Sequence, residues 1–178
     1  MTAAGDAVGK LTRWVDDFPA PGIRFADLTP VFADHDGFRA VIDALRAIAP
    51  DTELVAGIDA RGFLLASGVA VGKGCGVLAV RKGGKLPPPV LSREYDLEYG
   101  TARLEIPADG IDIQGKRVLL IDDVLATGGT IVAAAELLTE AGAHVVATAV
   151  VLELSALQGR KKIGGRSELG ELTALVQI

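Results

Sequence analysis

Residues 117–130 read RVLLIDDVLATGGT, and this stretch decides the fold. Residues 118–121 form a short apolar run of the kind that fills a buried parallel strand, and Asp122 and Asp123 stand where that strand is expected to end. Ala126, Thr127, Gly128, Gly129 and Thr130 then lead into a helical pattern. Two glycines, two hydroxyls and unpaired backbone N–H groups at a helix N-terminus make a cradle for a phosphate. Carboxylates are poor phosphate partners, so the paired acids address something else: vicinal hydroxyls on the same ligand, as in a ribose 5-phosphate, or a magnesium ion. Either pair alone commonly marks a solvated turn or a cap. Joined as strand, two acids, Thr-Gly-Gly-Thr and helix, they form a specific arrangement. It is not a common nucleotide loop, because G-x-x-x-x-G-K-[ST] and G-x-G-x-x-G are both absent from the segment.

Outward from this stretch the chain alternates strand and helix. Phe38, Val41, Ile42, Leu45 and Ile48 recur at helical spacing after Asp36, a good N-cap residue. Residues 54–58 read as a buried strand, 62–71 as a small-residue helix packed closely on a sheet, and 76–80 as the next strand. Residues 131–141 give a helix ended by Gly142, 145–152 a strand, and 173–178 a last short one. This alternation predicts an α/β fold, a doubly wound and mainly parallel sheet flanked by helices, in a single domain over 1–178. Ligands of such sheets sit at the carboxyl ends of the strands near the switch in strand order, where Asp59, Arg81 and Asp122 all fall.

Three clusters join the first at that edge. In GIDARGF, Asp59, Ala60 and Arg61 lie between a strand and a glycine-opened helix, a second anion cradle with a guanidinium to complete it. Arg81, Lys82 and Lys85 in RKGGK place three cations within five residues of an acidic protein, which fits a polyanion. FPAPGIRFADLTP, residues 18–30, is a rigid aromatic loop in which proline fixes φ and Gly22 permits a turn, so Phe25 can lie against a flat base. Residues 91–106, LSREYDLEYGTARLEI, lack a deep apolar face and read as a β-flap.

Composition sets limits. The net charge of -5, with no basic tail or Arg/Lys stripe, argues against nucleic acid as a partner. One cysteine, Cys75, excludes an intramolecular disulfide and is expected to be a buried small hydrophobe. No apolar run is long enough to span a bilayer, so a cytoplasmic protein without membrane contact is expected.

From residue 18 through 155 the motifs resemble those of the type I phosphoribosyltransferases. Residues 117–130 are similar to that family's phosphoribosyl pyrophosphate (PRPP) signature, and the flanking motifs to its adenine-specific branch. The resemblance implies transfer of a 5-phosphoribosyl group from PRPP to adenine in purine salvage, giving AMP and diphosphate. A 6-oxo purine as the acceptor, or a PRPP-sensing protein without turnover on the same scaffold, are the alternatives. It implies that Asp122 and Asp123 hold the ribose hydroxyls, and also a Mg2+ carried mainly by PRPP, while residues 126–130 hold the 5-phosphate. Asp59, Ala60, Arg61, Arg81, Lys82 and Lys85 would hold diphosphate, with a non-proline cis peptide at Asp59-Ala60. Residues 18–30 would form a hood in which Arg24, Phe25 and Ala26 meet adenine. Many relatives carry arginine after the phenylalanine, where this chain has Ala26; adenine recognition survives if backbone groups read the base. The flap would carry Glu98 and Tyr99, with Glu98 serving acid/base chemistry on the purine beside Arg61 and Lys85. A homodimer is implied, with Arg81 acting either within its own subunit or across the dimer.

Overall fold

The computed structural model describes residues 2–96 and 100–178. In chain order the elements are α1 (Ala3–Leu11), β1 (Arg13–Val15), β2 (Phe25–Asp27), α2 (Thr29–Ala33), α3 (His35–Arg46), β3 (Leu54–Ile58), α4 (Arg61–Lys73), β4 (Gly76–Lys82), β5 (Val90–Asp96), β6 (Thr101–Pro107), β7 (Arg117–Leu125), α5 (Gly129–Glu140), β8 (His144–Glu153), α6 (Gly159–Ile163) and β9 (Glu171–Gln177). Seven strands form one sheet in the order β5-β6-β4-β3-β7-β8-β9. The five from β4 to β9 run parallel, and the β5–β6 hairpin adds an antiparallel extension. The chain leaves β3 for β4 on one side and then crosses to β7 on the other, so the strand order reverses between the carboxyl ends of β3 and β7. A crevice must open there, because the helices that follow the two strands leave to opposite faces.

Alternation along the central strands divides the core in two. Val55, Leu119 and Ile121 face α1, α3 and α4 with Val8, Leu45, Leu65 and Val69. Ala56, Ile58, Val118 and Leu120 face α5 with Ala134, Leu137 and Leu138. Successive side chains of a strand point to opposite faces, so a near-continuous apolar run such as VLLI serves both layers.

The structure corrects the expected boundaries. The N-cap of α3 is Asp34, whose Oδ1 accepts from Gly37 N at 2.7 Å, and Asp36 lies within the first turn. β7 does not end at the acids: Val124 and Leu125 still pair with Leu152 and Glu153 of β8, so Asp122 and Asp123 are strand residues. α5 begins at Gly129, two residues before the apolar pattern. Cys75 is half-buried rather than enclosed. Residues 2–12, which carry no chemical motif, form a helix capped by Thr2 that buries Ala4 and Val8. The hood is a two-stranded antiparallel sheet whose first strand, β1, precedes residue 18.

Candidate active site

Two helix N-termini and an acidic strand end meet in the crevice. β3 leads through a cis Asp59-Ala60 peptide into α4, whose N-cap is Ala60 and whose first residue is Arg61. Gly62 lets that first turn lie directly on β7: an added Cβ would sit 2.9 Å from the carbonyl oxygen of Ile121 and 3.3 Å from Asp122 Oδ1. On the other side, β7 runs through the 126–128 turn into α5, with Gly128 as N-cap at φ +86°, a conformation that favours glycine. Neither helix has a side-chain cap, so their first N–H groups are free for an anionic ligand.

The turn at the start of α5 encloses a cavity of about 70 Å³ lined by Asp122, Val124, Ala126, Thr127, Gly128, Thr130 and Ile131. Thr130 Oγ1 lies 3.3 Å from Tyr95 Oη of β5, which ties the turn to the flap. Asp122 Oδ1 accepts from Asp123 N at 2.9 Å. The Asp122 side chain keeps some surface on the cavity but is walled by protein on nearly every side, and this burial pushes its pKa well above the ordinary carboxylate value. The neighbouring Asp123 charge pushes in the same direction. Asp123 is raised too, by burial, against the opposing pull of Arg61. Arg61 Nε is 2.8 Å from Asp123 Oδ2, an ion pair by distance. The approach is off the hydrogen-bonding axis, and Oδ2 is buried without a hydrogen-bond partner.

Arg61 links this acid pair to the hood. Its guanidinium lies 5.2 Å from the centroid of the Phe25 ring, which Phe18 in turn meets edge-on at 5.2 Å. Phe18, Phe25 and Arg61, with Arg13, Val15, Asp27 and Thr29, line a pocket of about 420 Å³. That space is wide enough for a flat heterocycle, and the Arg61 guanidinium, already in cation–π contact with Phe25, joins the ring in forming one wall of it. Of the three hood residues expected at the base, Phe25 lines this pocket. Arg24 turns away to lie 4.7 Å over Trp14 and 3.4 Å from Asp16. The Ala26 side chain packs into the core at 3% exposure, which leaves the Ala26 backbone as its means of contact.

The cation cluster stands at the adjacent strand end. Arg81 Nε pairs with Asp59 Oδ2 at 3.3 Å, and Lys82 N donates to the same oxygen at 3.3 Å. Lys82 and Lys85 are exposed. Buried Glu105 holds their turn from below, accepting from Gly84 N at 2.9 Å and pairing with Arg103 at 2.8 Å. Sequence reading passed over Glu105, although an acid inside the alternation of RLEI on an inward-facing strand is an unusual choice. It also passed over Arg13, Asp27 and Tyr95. Glu98 and Tyr99 lie outside the described residues.

Residues 34–166 match the model of the phosphoribosyl transferase domain. The chain is 70% identical over 161 residues, 90% of its length and 84% of the relative's, to an adenine phosphoribosyltransferase of Nocardia farcinica. Its structure matches the crystal structure of adenine phosphoribosyltransferase from Thermoanaerobacter pseudethanolicus with TM-score 0.89 at 40% identity, covering 97% of this chain and 99% of that one. It matches the enzyme of Giardia lamblia complexed with 9-deazaadenine with TM-score 0.89 at 36% identity, covering 100% and 99%. On these matches the chain belongs to the phosphoribosyltransferase family, among its adenine phosphoribosyltransferases.

Proposed function

We propose that the protein transfers the 5-phosphoribosyl group from PRPP to adenine, forming AMP and diphosphate. One observation carries the reading: the hood pocket lined by Phe18, Phe25 and Arg61 adjoins the acid pair through the Arg61–Asp123 ion pair, and the strand of the acids runs straight into the phosphate-sized turn. Base, ribose and 5-phosphate of a single nucleotide fit that order. Residues 126–130 take the 5-phosphate on the N–H groups of α5, and Asp122 and Asp123 take the ribose hydroxyls. Asp59, Ala60, Arg61, Arg81, Lys82 and Lys85 form the diphosphate side, with α4 supplying a second set of N–H groups. In the hood, adenine lies against Phe25 while backbone groups near Ala26 read its edge. A 6-oxo purine there faces mismatched buried groups, which can discriminate by roughly 10⁴-fold.

As the bond from ribose C1 to diphosphate breaks, positive charge develops on the sugar, as in glycoside chemistry. The buried carboxylates favour that charge, and the cations of α4 and β4 favour the departing anion; preorganised contacts of this kind account for about 3 to 4 kcal/mol each. The purine ring nitrogen forms the new bond and gives up its proton, for which Glu98, beside Tyr99 on the flap, is the proposed acceptor. Closure of the β5–β6 flap excludes water that would hydrolyse PRPP. For Mg2+, the donor set fits an ion carried mainly by the substrate: Asp123 Oδ2 is already paired with Arg61, and among the described residues no group of three carboxylates, imidazoles or thiols forms to hold an ion by itself. When bound with PRPP, the ion supplies charge neutralisation at the leaving group.

A homodimer and a cytoplasmic location belong to the same proposal. α4 leaves Leu64 at 55% and Val71 at 83% exposure one heptad apart, beside Val77 at 50%, an apolar face suited to a second copy. Arg81 stands at the neighbouring strand end, where it can reach a partner's site. No helix among the described residues is long and apolar enough to cross a membrane. A spectrophotometric panel of adenine, hypoxanthine, guanine and xanthine with PRPP tests the assignment. AMP formation with adenine alone is expected; turnover of an oxo-purine in preference, or PRPP binding with no diphosphate release, overturns it.

A further inference from the structure

We propose that Arg160 and Glu153 form a positioning clasp that holds the 5-phosphate turn in its binding shape from behind, without touching the ligand. The inference rests on the reading of residues 126–130 as the 5-phosphate site. Glu153 is the last residue of β8, and its side chain is only 6% exposed. Arg160 grips it in a fork: Nε donates to Oε2 at 2.9 Å and lies 3.1 Å from Oε1, while Nη2 donates to Oε2 at 2.7 Å. The same guanidinium donates through Nη1 to the carbonyl of Leu172 at 2.9 Å, and Gln177 Nε2 donates to Glu153 Oε2 at 3.2 Å. A single side chain of α6 is therefore bound to β8 and β9 together. A planar fork on a carboxylate fixes orientation as well as distance, which an ammonium cannot do.

What the clasp fixes is the backbone under the phosphate turn. Gly159, next to Arg160, lies so close that a Cβ there would overlap the carbonyl of Ala126 and sit 3.0 Å from Leu125 Cδ1. From the other side, a Cβ on Gly128 would sit 3.0 Å from Ile163 Cδ1 and 3.2 Å from the carbonyl oxygen of Gly159. Leu154 N also donates to the carbonyl of Leu125 at 2.9 Å. The floor of the turn is thus α6 itself, from Gly159 to Ile163. The turn has no side-chain cap of its own, so its N–H groups converge only while that floor stays in place. Arg160 and Glu153 are absent from the lining of the phosphate cavity, which makes them positioning residues rather than ligand contacts.

The test uses Arg160→Lys, which keeps charge and loses the fork, Glu153→Gln, and Gly159→Ala, which forces α6 and the Ala126 backbone apart while keeping both side chains of the ion pair. Dissociation constants for ribose 5-phosphate and for diphosphate are measured separately by calorimetry, with thermal melts and with Leu45→Ala as a core variant destabilised away from the site. All three variants are expected to weaken ribose 5-phosphate about tenfold or more while diphosphate changes less than twofold; Leu45→Ala loses melting temperature and neither affinity. Unchanged ribose 5-phosphate binding in folded Arg160→Lys and Gly159→Ala, or equal loss of both ligands, overturns the clasp. If the unsubstituted protein binds diphosphate but no ribose 5-phosphate, the reading of the turn itself fails, and the clasp with it.

Discussion

Asp122→Asn should make the protein more stable and nearly inactive. The asparagine keeps an oxygen for the N–H of Asp123, which Asp122 Oδ1 accepts at 2.9 Å, so the local backbone has no reason to move. What disappears is a buried negative charge beside a second carboxylate. In catalysis that charge faces the developing sugar cation: two unit charges about 5 Å apart at an effective dielectric of about 20 interact by about 3 kcal/mol. With the weakened hydrogen bond to a ribose hydroxyl, kcat/KM for PRPP should fall by about 10²- to 10³-fold. In folding the same charge is a burden. The folded pKa of Asp122 lies above its ordinary value of 3.8, so in the window between them the folded chain binds a proton that the unfolded chain has lost. Stability therefore falls as pH rises through that window and stays low above it. The asparagine variant escapes the loss, so its advantage is greatest at alkaline pH, shrinks on acidification and vanishes below the ordinary carboxylate range. For a chain of this size each kcal/mol of relief raises Tm by about 2 to 4 °C. Thermal melts of both proteins at pH 8, 6.5 and 5, without PRPP and with a chelator present, read the effect directly. A variant less stable than the unsubstituted protein at pH 8, or a Tm gap independent of pH, would refute the argument that burial and like charge set the Asp122 pKa.

Other perturbations separate the parts of the site. Glu98→Gln should lower turnover by about 10²-fold or more while PRPP binding by calorimetry stays nearly intact; equal loss of both would count against a proton-transfer role. Phe25→Ala removes an aromatic wall of the hood pocket and should raise KM for adenine about tenfold with little change in KM for PRPP, as initial rates with each substrate varied will reveal. Placing lysines on the exposed face of α4, Leu64→Lys with Val71→Lys, should convert a dimer to monomers in sedimentation velocity, and a single unchanged species in both proteins would remove that face as the interface.

Much of the architecture was legible because each central strand reads as a continuous apolar run and each crossing helix as a repeat. Both signals are local, and the parallel sheet follows from their alternation. The phosphate turn was legible for a different reason: backbone cradles need glycines, and glycines are visible. What escaped was set by partners distant in sequence. β7 continues past its acids because β8 offers pairing to Val124 and Leu125, which no pattern within the segment announces. The Asp34 cap lies two residues before Asp36, and either acid suits that role until the chain is folded. Arg24 and Ala26 flank Phe25 in sequence, yet strand alternation sends only Phe25 into the pocket; without knowing that β2 is a strand, three neighbours looked equivalent. Glu105 and Arg160 belong to the same class, since their partners are Gly84, Arg103, Glu153 and Leu172.

The distribution of helix caps shows where the fold yields stability to function. α1 and α3, remote from the crevice, are closed by Thr2 and Asp34, whose side chains accept from the first turn. α4 and α5 open onto the crevice and have Ala60 and Gly128 in the same position, with no side-chain cap. A Ser, Thr, Asp or Asn cap stabilises a helix by about 1 kcal/mol over alanine, so stability alone would favour a polar residue at 60. A carboxylate or hydroxyl there would occupy the N–H groups that an anionic substrate needs, and a carboxylate would repel it as well. The raised pKa values of Asp122 and Asp123, which burial sets even against the pull of Arg61 on Asp123, extend the same logic to the acids. Each is a group left unsatisfied by the protein that a sugar phosphate, its cation or its diphosphate can satisfy. Among the helices longer than one turn and a half, local sequence preference therefore fails at the two that open onto the crevice and holds at α1 and α3, while the short α2 and α6 carry no side-chain cap either.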